Sequence, residues 1–320
     1  MATVSPVLGR GSRRSRCASR LTALTLRPVA SRLPFGPGGI PLTRALVEVA
    51  MRALGRVAPG TTVRAVDEGG VAGEWVDART ARGAARPEGV ILYLHGSAYA
   101  ICSARTHRGL ASRLSRETGL EVFVVEYRLA PDFPFPAAAD DVERAYRWLL
   151  DSGYSSDTVV VAGDSAGGHL ALDLVIDNAR HSIPQPRVVA LFSPLIDLTF
   201  TLAENRERSA RDPMISASAA RELVALYTRD ELPDSPRLHL TVQHGTVLPH
   251  FVVQAGGAEM LAADAEHLRD LVVEAGGTCT LEIWPDQMHV FQALPRIAPE
   301  ADAALRRSAR HIEHALTTQP

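Results

Sequence analysis

Gly163-Asp164-Ser165-Ala166-Gly167 is the segment of this chain with the clearest chemical content. It follows the apolar run 159–162 and precedes the helical pattern 169–176, so the serine falls at a strand–turn–helix junction. Small flanking residues let strand and helix pass closely, and the turn presents the Ser165 Oγ above the carboxyl end of the strand. The helix N-terminus at that point favours developing negative charge. This G-x-S-x-G arrangement predicts a nucleophile; the competing reading is a small-residue turn without chemistry.

A nucleophilic serine needs a base, and the base needs a group to orient it. Elbow-type serines take these partners later in the chain, acid first and histidine second. Nine histidines follow Ser165. His289 stands in the loop Trp284-Pro285-Asp286-Gln287-Met288-His289-Val290-Phe291, just after the extended run 281–284. A histidine in a loop after the last strand can reach the serine. His169, His267, His311 and His314 fall in helical patterns and read as surface or packing residues. The acid is expected after the next strand, 251–257, where Glu259 occupies the turn. Asp264 lies five residues on, in the following helix, and is expected to point along the helix surface. The turn position selects Glu259, whose alternative role is a helix N-terminal acid worth about 0.3–1 kcal/mol.

Oxyanion donors are expected from the loop after the run 90–94, together with the N–H that follows the nucleophile. That loop reads His95-Gly96-Ser97-Ala98-Tyr99, which nominates the N–H groups of Ser97 and Ala98, with Ala166 as the third donor. Asp164 and the pair Asp140-Asp141 read as local hydrogen bonders. Adjacent carboxylates do not face each other on a helix, so no paired-acid glycosidase is indicated. Cys102 follows the oxyanion loop, but no signal makes it a nucleophile.

The elements that must position these residues alternate. The runs 90–94, 122–125, 159–162, 188–192 and 251–253 are continuously apolar, as in strands buried on both faces of a mostly parallel sheet. Helical patterns over 105–117, 137–151, 166–180, 260–275 and 299–316 lie between and after them. This is an α/β fold of βαβ units. Two further strand candidates, 61–67 and 71–78, flank Gly69-Gly70 and predict an antiparallel hairpin at one edge. Two regions break the alternation. One is 20–57, with a helix from about Leu42 to Gly55; the other is 198–245, with a helix near 216–228. Insertions of this kind form a cap over the site. The division is therefore 1–57, a basic lead with cap helices, and 58–320, the catalytic domain with its cap insertion.

Composition narrows the classes. With 46% hydrophobic and 22% charged residues in a chain of 320, disorder, collagen and coiled coil are excluded. A net charge of −2 gives no support for nucleic-acid binding as the main task. All 34 basic residues are arginine, which excludes a lysine nucleophile, a Schiff base and a P-loop lysine. Cys17, Cys102 and Cys279 form no CxxC pair, so reduced thiols in a cytoplasmic protein are expected. No apolar run reaches the 18 residues of a spanning helix. The first 47 residues hold eight arginines and no acid before Glu48, leaving about −10 on the remainder. A secretory signal is not indicated, because Arg27 and Pro28 interrupt the apolar stretch. The expectation is a disordered basic lead followed by an amphipathic helix packed on the body, with peripheral contact to anionic lipid as the alternative.

Several segments together resemble the hormone-sensitive-lipase-like branch of the α/β-hydrolases, the bacterial esterase and lipase family. They are LHGSAYAICSARTHR (94–108), VVEYRLAPDFPFPAAADD (124–141), VVVAGDSAGGHLA (159–171), RDPMIS (211–216), AGGAEMLAADA (255–265) and MHVF (288–291). The resemblance runs from about residue 60 to the end. It implies a mostly parallel central sheet flanked by helices, a helical cap that includes 20–57, and carboxylic-ester hydrolysis without metal or cofactor. It also implies that His95 and Gly96 support the oxyanion loop rather than react. Two departures stand out. The family's HGGG is His95-Gly96-Ser97-Ala98 here, and non-glycine residues restrict φ. Many members place aspartate where Glu259 falls. The rival readings are an amidase or acyltransferase on the same three residues, or a non-catalytic small-molecule-binding member of the fold. The small-molecule partner expected is an ester of short to medium acyl chain; the sequence leaves oligomeric state open.

Overall fold

Among the described residues, the apolar runs become central strands of a nine-stranded sheet, in the order β1-β9-β8-β7-β6-β4-β5-β3-β2. In chain order these are β1 (Ala2–Val4), β2 (Thr62–Glu68), β3 (Val71–Asp77), β4 (Val90–Leu94), β5 (Glu121–Val125), β6 (Val159–Asp164), β7 (Val188–Phe192), β8 (His250–Gly256) and β9 (Cys279–Trp284). The structure is a computed structural model that describes residues 2–4, 9–30, 39–79, 89–229 and 235–318. Parts of the expected basic lead and cap, at 1, 5–8, 31–38 and 230–234, lie outside the described residues. The hairpin partners β2 and β3 are antiparallel, β3 is antiparallel to β5, and the other pairings are parallel.

The continuous apolar character of the central strands follows from burial on both faces. In β4, Leu92 and Leu94 belong to one core cluster and Ile91 and Tyr93 to the other. Helices cover each face. In chain order they are α1 (Arg13–Ala30), α2 (Ile40–Leu54), α3 (Ala104–Thr118), α4 (Ala137–Asp151), α5 (Ala166–His181), α6 (Thr201–Glu207), α7 (Ala217–Thr228), α8 (Ala262–Glu274) and α9 (Ala301–Thr317). Leu149, Leu170 and Leu268 bring α4, α5 and α8 to the first cluster. Leu110, Leu114, Leu305 and Ile312 bring α3 and α9 to the second.

Strand order places the site. From β4 the chain crosses to β5 on one side and then returns past β4 to β6 on the other. Such a reversal leaves a crevice beyond the carboxyl ends of the strands involved. The loop 95–99 and Ser165 leave the ends of β4 and β6, which are hydrogen-bonded neighbours.

The N-terminal expectation is corrected in one respect. The arginine-rich lead is not a disordered segment over 13–30 but helix α1. Tertiary contacts hold it: Ser12 N–H donates to Glu300 Oε1 at 2.6 Å, Ser15 Oγ donates to the same carboxylate, and Arg27 pairs with Glu207 at 2.9 Å. Helix α6, within the insertion, and the edge strand β1 had no distinct pattern in the sequence.

Candidate active site

Ser165 has φ 50° and ψ −120°, a strained conformation for a residue with a side chain. The turn exists because strand and helix nearly touch. A Cβ on Gly167 would collide with the Leu94 carbonyl, and one on Gly163 would lie 2.8 Å from the Gly167 carbonyl. Two backbone bonds lock the turn to the next strand: Ser165 N–H donates to Phe192 O at 3.1 Å, and Leu195 N–H donates to Ser165 O at 2.9 Å.

Beneath the serine, Asp164 is buried. Its Oδ1 accepts from Tyr93 Oη at 2.8 Å and lies 3.2 Å from His107 Nε2. Burial works to raise the Asp164 carboxyl, but His107, Tyr93 and His95 together outweigh it and hold the pKa below its ordinary value. Asp164 is thus a local hydrogen bonder, as expected, in a network whose histidine partner the sequence did not reveal.

His289 follows β9 as expected. Its Nδ1 lies 2.5 Å from Glu259 Oε2. Glu259 is almost completely buried, and its Oε1 accepts from Gly256 N–H at 2.5 Å. Burial alone would lower the His289 pKa, but the facing carboxylates, Glu259 foremost with Asp212 and Asp164, raise it on balance. The histidine loop is anchored on Ser193, in the same stretch 192–195 whose Phe192 and Leu195 bond the serine turn. Val290 N–H donates to Ser193 Oγ at 3.0 Å, and Ser193 N–H donates to Gln254 O at 2.7 Å. Ser193 closes the apolar run 188–192 and gave no signal beyond that position.

Asp264 departs from expectation. It is fully buried rather than on the helix surface, and its Oδ1 accepts from the N–H groups of Ile196 and Asp197 at 2.9 and 2.8 Å. The first turn of α8 packs inward, with Ala262 and Ala265 also buried, which carries Asp264 under the loop after β7. It makes no recorded contact with His289.

The oxyanion loop keeps a backbone that usually calls for glycine. Ser97, Ala98 and Tyr99 have φ of 77°, 53° and 63°, all left-handed. Such conformations cost non-glycine residues roughly 1–2 kcal/mol each, so surrounding contacts must hold them. Ser97 Oγ lies 2.9 Å from Cys102 Sγ. The Tyr99 ring stacks on Tyr227 of α7 with centroids 4.0 Å apart. Arg44 of α2 donates to the Ala100 and Ala130 carbonyls at 2.8 and 2.9 Å. Gly96 abuts the serine: a Cβ there would lie 3.0 Å from Ser165 Cβ and collide with Asp164 Oδ2. Among the described residues, the N–H groups of Ser97, Ala98 and Ala166 donate to no protein acceptor.

His95 is buried, stacked between Tyr127 (4.1 Å) and His107 (5.5 Å), and its carbonyl accepts from Tyr127 Oη at 2.7 Å. Burial, with His107 beside it, pushes its pKa down to about 3, so the ring is neutral and structural. Burial raises the Cys102 thiol to about 11, which leaves it protonated and a poor nucleophile.

The segment between β7 and β8 grips the acid turn. Arg206 of α6 donates to the Glu259 and Gly257 carbonyls at 2.9 and 3.0 Å. Asp212 Oδ2 accepts from Met260 N–H at 2.8 Å, and Arg27 of α1 donates to the Asp212 carbonyl. Arg206 and Asp212 were not singled out in the sequence; the RDPMIS segment was the sign available for Asp212.

Ser165, Glu259 and His289 follow the carboxyl ends of β6, β8 and β9 in the one sheet, the acid paired with the histidine, which makes them the candidate groups of a serine hydrolase. A profile of the alpha/beta hydrolase fold family matches residues 91–293. The chain is 35% identical over 251 residues to an acetyl-hydrolase of Streptomyces hygroscopicus, covering 78% of this chain and 81% of that protein. It is 31% identical over 306 residues to the carboxylesterase/phospholipase LipF of Mycobacterium tuberculosis, covering 93% of this chain and 80% of the relative. A crystal structure of an esterase from the bacterial hormone-sensitive lipase family superposes with a TM-score of 0.85 at 30% identity, covering 96% of this chain and 99% of the other. The chain belongs to the α/β-hydrolase fold family, in its hormone-sensitive-lipase-like branch.

Proposed function

We propose that this chain is a serine esterase that hydrolyses carboxylic esters of short to medium acyl chain through an acyl-enzyme. Ser165 Oγ attacks the acyl carbon while His289 Nε2 accepts its proton. The tetrahedral oxyanion is held by the N–H groups of Ser97, Ala98 and Ala166. His289 returns the proton to the leaving alcohol, and Glu259 supports the imidazolium through Nδ1. Water, deprotonated by His289, then attacks the acyl-enzyme; Ser165 is released with its proton restored and the acid departs.

The observation that carries this reading is the His289 Nδ1–Glu259 Oε2 contact of 2.5 Å, made by a carboxylate that is itself buried. That geometry fixes the tautomer in which Nε2 is the free base. The names of the relatives, acetyl-hydrolase and carboxylesterase/phospholipase among them, favour an ester over an amide or an acyl acceptor other than water. A receptor-like member that only binds has no use for the complete set of groups.

The expected setting is the cytoplasm. Cys17, Cys102 and Cys279 are all free, in keeping with a reducing compartment, and the basic N-terminal segment supports peripheral contact with membrane lipid. The test of the enzymatic reading is covalent labelling. A fluorophosphonate probe should modify Ser165, located by peptide mass analysis, and Ser165→Ala should abolish both labelling and p-nitrophenyl butyrate turnover. A folded wild-type protein that takes no label would overturn the reading in favour of a binding role.

A further inference from the structure

Helix α2 has an inward and an outward side. Ile40 and Thr43 are buried, and Arg44 reaches the oxyanion loop. On the outward side Leu42, Ala45, Leu46, Val49 and Ala53 recur at i, i+3, i+4, i+7 and i+11, and every one is exposed. Leu42 is 59% exposed, Leu46 53% and Val49 67%. An ordinary surface helix carries polar residues on that side. The inversion has a counterpart in α1, where Leu21 and Leu24 are exposed on the arc that also carries Arg13 and Arg20. Arg13 and Arg20 are exposed and Arg16 is half-buried, and no acid precedes Glu48 in the chain. Both helices are tied to Arg296: Arg14 of α1 donates to the Arg296 carbonyl, and the Arg296 guanidinium donates to the Ala53 carbonyl of α2 at 2.9 Å.

We propose that the outward faces of α1 and α2 dock on an anionic phospholipid bilayer. The α2 stripe enters the boundary between headgroups and acyl chains, and the α1 arginines pair with lipid phosphates. Apolar side chains flanked by cations are the combination that holds a helix in such an interface. A second copy of this chain fits the surface less well. A two-fold contact on this face would set the arginines of α1 against their own copies without an acid between them. The charge on the rest of the chain, about −10, turns this face rather than another toward an anionic surface. Because Arg44 ties α2 to the oxyanion loop, a bilayer seated on α2 lies about one helix diameter, ~10 Å, from the candidate active site.

The inference extends the peripheral contact in the proposed function, but its test needs no turnover. The full chain is sedimented with vesicles of phosphatidylcholine and phosphatidylglycerol in equal parts, and with vesicles of phosphatidylcholine alone. Binding to the mixed vesicles should be at least about tenfold tighter and should weaken with added salt. Leu42→Glu with Leu46→Glu should reduce binding by about tenfold or more, while p-nitrophenyl butyrate turnover stays at the wild-type rate. Arg13→Gln, Arg16→Gln and Arg20→Gln together should weaken binding to the mixed vesicles and flatten its salt dependence. If the glutamates disturb folding, Leu42→Ser with Leu46→Ser provides the same reading. Equal binding to both vesicle types, or binding unchanged by the leucine substitutions, overturns the inference. So does a solution dimer that the leucine substitutions dissolve, which would assign the stripe to a second copy. A wild-type protein that binds the mixed vesicles as expected but turns over no p-nitrophenyl ester would count against the esterase reading alone.

Discussion

Ser97 Oγ lies 2.9 Å from Cys102 Sγ, so the hydroxyl that replaces a glycine in this loop is engaged by a buried thiol. The contribution of residue 97 to the reaction then rests on its N–H. Ser97→Gly is expected to keep kcat for p-nitrophenyl butyrate within about tenfold of wild type, because glycine adopts the left-handed conformation readily. Loss of a true oxyanion donor costs about 10²–10³ in kcat. A fall of that size in a folded Ser97→Gly variant would show that the hydroxyl participates.

Glu259→Ala should lower kcat by about 10³ or more, the scale seen when the orienting acid of a triad is lost. Glu259→Asp should retain partial activity, since the shorter carboxylate still bears the charge.

The pH profile reports on the same pair. His289 must be neutral to act as a base, so kcat/KM falls as pH drops through its pKa. Burial lowers that pKa, and the facing carboxylates, Glu259 foremost with Asp212 and Asp164, raise it on balance. Glu259→Gln removes the charge, so the acid limb of its residual activity should move to lower pH. An acid limb that stays in place would show that Glu259 does not set the charge state of His289.

Asp264 is expected to govern stability rather than rate. Asp264→Ala should keep kcat within about tenfold but leave the Ile196 and Asp197 N–H groups unpaired, a cost of about 1–3 kcal/mol each if they stay dry. Burial raises the Asp264 carboxyl from 3.8 to about 7, so the folded state prefers the protonated acid. Its stabilising contribution is complete below the unfolded pKa and is lost as pH rises through the folded value. Asp264→Asn keeps one acceptor and cannot ionise. Its unfolding free energy, measured by denaturant titration, should therefore gain on wild type between pH about 4 and about 7, by up to about 1.4 kcal/mol per pH unit. A difference that is flat across that range would exclude the titration.

Initial rates on p-nitrophenyl esters should peak between about C2 and C8, the range expected for an esterase built around a short acyl pocket beneath a cap. A maximum at a clearly longer chain would favour a true lipase.

The placements of Ser165, His289 and Glu259 were legible because each depends on a local pattern. The serine needs small neighbours between a strand and a helix, the histidine a loop after the last strand, and the acid a turn after the strand before it. The same logic placed Asp264 wrongly on the surface. Helical spacing tells which residues share a face, but not which face the sheet will cover, and the first turn of α8 faces inward. Helix α1 was missed for a related reason. Its composition resembles a solvated lead, and its order comes from Glu300 and Glu207, residues far away in the chain.

The sequence by itself determined the alternation of buried strands and helices, the serine elbow and the order of its partners, because those follow from periodicity and turn chemistry within a few residues. The tertiary structure alone decided how they are held together. Arg27 reaches Asp212 across 185 positions, Asp212 steadies the acid turn through Met260, Ser193 holds the histidine loop against the end of β7, and Arg44 of α2 fastens the chain just after the loop 95–99. These contacts exist because the order of the strands reverses at β4, between β5 and β6, and gathers chain segments that share no local pattern.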